Sequence, residues 1–128
     1  MTRRTLLIVA ALVVGCSEPA NEAIAPPVHS PRDVYIQEAT IMEHLLAEYD
    51  RVVAERERNL KRAKDEYELA KRARGAGDKA VEQSALNREK QYEEYARVAG
   101  EDASAKYPAI LKQQLCVDAA KKALGLIQ

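Results

Sequence analysis

No proline falls between Pro31 and Pro108, and within that stretch apolar residues recur at alternating spacings of three and four. Ala39, Leu46, Val53, Leu60 and Tyr67 form one row seven residues apart; Met42, Tyr49, Arg56, Ala63 and Ala70 form a second, three residues further on. Arg56 is the one charged member of either row. A 3-4 pattern sustained this long belongs to a coiled coil or a helical bundle, not to an isolated amphipathic turn. Val34, Leu45 and Val52 widen the stripe in its first half, so that end is expected to meet more than one neighbour. The remaining positions are crowded with charge of both signs. Glu57–Lys61 and Glu68–Arg72 stand at i, i+4 with the acid leading, each supporting the helix by ~0.2–0.5 kcal/mol. Such a run reads as a solvated helix face and is assigned no ligand.

Punctuation residues mark the ends. Asp33, after Ser30-Pro31-Arg32, reads as an N-cap and starts a helix over 33–73. Gly75-Ala76-Gly77 breaks it, and Asp78 caps a second helix over 79–99, whose apolar face is Val81, Ala85, Arg88, Tyr92, Tyr95 and Ala99. A connection this short turns the second helix back antiparallel to the first. Gly100 is expected to end the second helix and Pro108 to open a third, over 108–124, before Gly125 stops it. That last segment carries Ile110, Leu111, Leu115, Val117, Ala119, Ala120, Ala123 and Leu124. At 1.5 Å per residue the first helix is ~60 Å long, and the two shorter ones laid end to end match it. The predicted fold over 33–128 is therefore all-α: an antiparallel helical hairpin or coiled-coil rod, one long helix covered by two shorter helices.

Composition narrows the function classes. With no Phe, no Trp and six Tyr, and 31% of residues charged, the chain is not expected to build a thick globular core. Its 20 basic and 20 acidic residues balance, which gives no electrostatic case for nucleic acid. His29 and His44 stand at no metal-ligand spacing with each other or with Cys116. Gly75-Ala76-Gly77 lacks the rest of a phosphate-binding loop, and neither Ser84 nor Ser104 has the context of a nucleophile. The expectation is of no enzyme, no metal and no cofactor.

The N-terminus gives the location. Arg3 and Arg4 precede nine consecutive apolar residues, Leu6 to Val14, the layout of a secretory signal. The apolar core is too short for a stable membrane span, which needs ~20 residues. Gly15 and Cys16 follow it, and Val13-Val14-Gly15-Cys16 resembles the lipobox of bacterial lipoproteins. The resemblance covers the first 16 residues. It implies that residues 1–15 are removed, that Cys16 is lipidated on sulfur, and that the new N-terminus is acylated, as with palmitate. Ser17 in place of an aspartate implies sorting to the outer membrane, facing the periplasm. Lipid on Cys16 leaves Cys116 as the one remaining thiol, read as a small buried hydrophobe, with an intermolecular disulfide in an oxidising periplasm as the other reading. Residues 16–32 hold Pro19, Pro26, Pro27 and Pro31 and read as an extended tether reaching ~50 Å.

The function expected is that of a lipid-anchored periplasmic interaction protein. Its coiled-coil-like face would comprise Met42, Leu46, Tyr49, Val53, Leu60 and Tyr67, with Leu111 and Leu115 from the third helix. Arg56 would set register or partner choice, paired with a carboxylate such as Asp50 or one on the partner; the alternative is a seam open to solvent there. The partners are the membrane, through lipid on Cys16, and another helical envelope protein or a second copy. One rival reading is a structural envelope lipoprotein. The murein lipoprotein ends in an attaching lysine, however, and this sequence ends Gly125-Leu126-Ile127-Gln128. Another is a small accessory or inhibitory lipoprotein of a secretion, conjugation (entry-exclusion) or phage-lysis system.

Overall fold

The computed structural model describes residues 29–128, where the regular structure is helical. The signal, the lipobox with Cys16, and the tether up to residue 28 lie outside the described residues. Two helices pack against each other, α1 (Pro31–Ala76) and α2 (Lys79–Ala123).

The first helix begins two residues earlier than its sequence suggests. Ser30, not Asp33, is the N-cap: its hydroxyl accepts from the Asp33 amide at 3.2 Å. The Asp33 carboxylate in turn accepts from the Ser30 amide at 3.1 Å and from the Ser30 hydroxyl at 2.7 Å. This reciprocal arrangement is a capping box with aspartate at its third position, and Pro31 takes the first helical position, where a missing N–H costs nothing. These hydrogen bonds from Ser30 hold the Asp33 carboxyl below the usual carboxylate range.

The turn is tighter than three residues. Gly75 and Ala76 stay helical, and Gly77, at φ 76°, takes the left-handed conformation that favours glycine. The Gly77 amide donates to Arg74 O at 3.1 Å and the Asp78 amide to Ala73 O at 2.9 Å, which is a Schellman ending. Asp78 then caps α2 as expected, its carboxylate accepting from the Val81 amide at 3.1 Å. A second ending of the same kind closes α2 at Gly125, φ 71°, with Leu126 N donating to Lys121 O at 3.0 Å.

The expected break between a second and a third helix does not occur. Gly100 and Pro108 both lie inside α2. Pro108 removes the bond its amide would have made to Ser104 O, but it stands on the exposed side, so its ring does not interrupt the inward row. That row (Ala96, Ala99, Ala103, Lys106, Ile110, Gln113, Val117, Ala120) keeps its alternation of three and four through both residues without a phase shift. The row's unbroken spacing shows that neither local breaker ends the helix. Across Gly100, Arg97 adds a brace, bonded to Glu94 at 2.6 Å on one side and ion-paired with Glu101 on the other.

Packing divides the chain into two units, Leu45–Pro108 and, among the described residues, those up to His44 with Ala109–Gln128. In the Leu45–Pro108 unit the two helix segments flank the turn as an antiparallel hairpin. Val52 meets Ala99 and Ala103 there, with Tyr49 and Val53 packed against them. Val52, Asn59, Ala63, Ala70 and Ala73 are the buried residues of α1. Thus the row through Tyr49, Ala63 and Ala70 faces α2, with Arg56 in that row exposed. The companion row lies on its other side: Val52, Asn59, Glu66 and Ala73, instead of Leu46, Val53, Leu60 and Tyr67. The same exchange occurs on α2, where Ala85, Tyr92 and Ala99 pair with Glu89, Ala96 and Ala103 in place of Val81, Arg88 and Tyr95. Small side chains on both helices let the backbones approach closely, and that contact excludes the bulkier rows to the flanks.

In the other unit Ile110, Gln113, Cys116, Val117 and Ala120 are buried. The Gln113 amide donates to Glu38 O at 2.9 Å and to the Glu38 carboxylate at 2.5 Å, tying α2 to the start of α1.

Candidate functional site

The outward row on α1 within the Leu45–Pro108 unit is Leu46, Val53, Leu60 and Tyr67. Val53 is half-buried, whereas Leu46, Leu60 and Tyr67 are 39%, 46% and 48% exposed. The row flanks the buried seam at the position that two-stranded coiled coils usually fill with charge. Beside it runs a shallow groove lined by Leu60, Ala63, Lys64, Tyr67, Glu89 and Glu93. The next row outward is charged and changes sign along the helix: Asp50 and Glu57, then Lys64 and Lys71, all exposed. Among these four, Lys71 makes a long ion pair to Glu68 at 3.9 Å, and the others enter none with the described residues.

The opposite flank of the hairpin is closed by polar contacts. Arg88 bonds Glu66 at 2.9 Å, which holds the guanidinium more firmly protonated than usual. The second oxygen of Glu66 is buried without a hydrogen-bond partner. Arg62 sits over the Tyr92 ring at 5.7 Å, and Lys106 reaches Glu48 at 3.6 Å. One flank is tied by charge; the other carries the apolar row.

The remaining site residues read from sequence divide as follows. Tyr49 leans on Tyr107 with ring centroids 6.3 Å apart, so its ring is engaged within the hairpin. Arg56 lies in the seam row but not against Asp50; its side chain rests on Gly100, where an added Cβ would stand 3.3 Å from Nε and 3.4 Å from Cδ. Gly100 therefore makes room for the stem of Arg56, which is why a glycine is tolerated mid-helix. Met42 is half-buried in the other unit, where Leu111 and Leu115 are 52% and 71% exposed. The polar residues that sequence reasoning missed are Asn59 and Gln113, both 7% exposed. Each occupies a seam position of the observed register, and the signal for them was the 3-4 frame itself, once set on the correct side.

Cys116 is buried and disulfide-bonded, so it does not stand as the thiol the sequence suggested. Among the described residues no group of three or more His, Cys, Asp or Glu side chains could hold a metal ion, and no helix is long and apolar enough to cross a membrane. No family model matches the sequence, and neither a curated protein nor a solved structure is found similar to it.

Proposed function

We propose that this chain is a lipid-anchored helical protein of the cell envelope, attached through Cys16 to the outer membrane facing the periplasm, which docks a helical partner on the row Leu46, Val53, Leu60 and Tyr67. The observation that carries the docking is that row itself: apolar, outward, and maintained over successive heptads where solvation alone would favour charge. The anchor rests on the Val13-Val14-Gly15-Cys16 resemblance, and stable attachment follows from the several acyl chains such a cysteine receives.

Two measurements test the two halves. A photoreactive residue at Leu60, placed in cells, should give adducts; complete absence of any adduct would remove the docking face. Tyr49 is the poorer probe position because its ring packs on Tyr107. For the anchor, Cys16→Ala should move the protein out of the membrane fraction, and intact mass should show the acyl chains. The mass separates the alternatives: added lipid on Cys16, or a chain with no lipid. The second result would overturn the anchor.

A further inference from the structure

We propose that the docking row seats the same row of a second copy, the two α1 helices running antiparallel about a two-fold axis at Leu60. The inference rests on the reading of Leu46, Val53, Leu60 and Tyr67 as a docking face and goes beyond it by naming the occupant.

The charge pattern chooses both the partner and its direction. An axis at Leu60 places Leu60 against Leu60 of the second copy, and Val53 against its Tyr67. The bordering row then meets its own opposite: Glu57 falls beside Lys64 of the second copy and Asp50 beside its Lys71. Each contact occurs twice by symmetry, as a two-fold interface requires. Parallel pairing in register would set Glu57 on Glu57 and Lys64 on Lys64, which like-charge repulsion opposes. Asp50, Glu57 and Lys64 enter no ion pair among the described residues, so they stand available for these contacts.

Burial points the same way. No large side chain is fully buried in the described residues, and alanine dominates the seam. A hairpin of this kind gains little from its own core, whereas covering Leu46, Leu60 and Tyr67 removes three large exposed side chains per copy from water. A residue row at the heptad position next to the seam is also how a helix joins a bundle of more than two strands.

Charge reversal provides the test, read on the full chain by analytical ultracentrifugation. Lys64→Glu and Glu57→Lys should each weaken self-association by roughly tenfold or more, since each variant creates two like-charge contacts per dimer. An equimolar mixture of the two variants should recover association, because the lysine introduced at position 57 of one copy then faces the glutamate introduced at position 64 of the other. Wild-type protein that stays monomeric, or single variants that associate as tightly as wild type, would overturn the proposal. A photoreactive residue at Val53 reads the direction: adducts near Tyr67 of a second copy support the antiparallel pair, and adducts at Val53 of that copy overturn it. If Leu60 adducts contain a different protein and no self-adduct, the second copy is overturned while the docking face survives. If no adduct of any kind forms, both are lost.

Discussion

At the scale of single residues, three glycines in or just beyond the helices do different work. Gly75 has open space around the position of a Cβ and no left-handed backbone, so Gly75→Ala is expected to raise stability by up to ~1 kcal/mol through helix propensity. Gly77 has the same open space but φ 76°, and Gly77→Ala should lower stability by about 1 kcal/mol because an L side chain is strained there. Thermal melts of the two variants should shift in opposite directions; shifts of the same sign would contradict the Schellman assignment. Gly100 is intermediate. Its Cβ would press on the Arg56 stem, so Gly100→Ala should gain less than Gly75→Ala. In an Arg56→Ala background the gain should return to about 1 kcal/mol, a non-additivity that a double-mutant cycle reads directly.

At the scale of the helices, much of the fold is legible in sequence and the errors share a cause. The turn, the Asp78 cap, the Gly125 stop and the inward row through Tyr49, Ala63 and Ala70 follow from spacing and capping chemistry. What spacing cannot decide is the side on which that row finds its companion, because rows three residues before and three residues after both alternate 3-4. Hydrophobicity favours Leu46, Leu60 and Tyr67; close packing against an alanine-rich α2 favours Val52, Asn59 and Ala73. The second consideration depends on a helix far away in the chain, and it prevails. The breakers at Gly100 and Pro108 fail to end α2, and the inward row of that helix keeps its three-four spacing on either side of both. Local charge adds to this continuity and gives a pH dependence. The hydrogen bond from Arg97 holds the Glu94 carboxyl below its ordinary value, as the Ser30 bonds do for Asp33. A lowered folded value means that the contribution is present above the unfolded carboxylate range and is lost as pH falls through the folded value. Amide exchange should therefore accelerate around Gly100 and in the first turn of α1 as pH is brought below about 4, after correction for intrinsic rates. Glu94→Gln should weaken the pH dependence at Gly100, where Glu101 still pairs with Arg97, and leave that at Ser30 unchanged.

At the scale of the whole molecule, the question is what stabilises a chain with so little deep burial. Its buried residues are mostly alanines, with two buried amides, and Leu46, Leu60, Tyr67, Leu111 and Leu115 among its larger apolar side chains are exposed. If a second copy covers Leu46, Leu60 and Tyr67, folding and association are linked, and the melting midpoint of the purified chain must rise with protein concentration. Well above the dissociation constant each tenfold rise should add about 1.4 kcal/mol per dimer. The outward row makes the linkage specific: Leu60→Gln should flatten the concentration dependence while altering the dilute-limit midpoint little, because Leu60 contributes little to the seam. Val52→Ala should do the reverse, lowering the midpoint at every concentration by the cost of a small cavity, about 1–2 kcal/mol, with the slope retained. A midpoint independent of concentration over a wide range would mean that the alanine seam suffices by itself, and that the outward row is kept apolar for a different occupant.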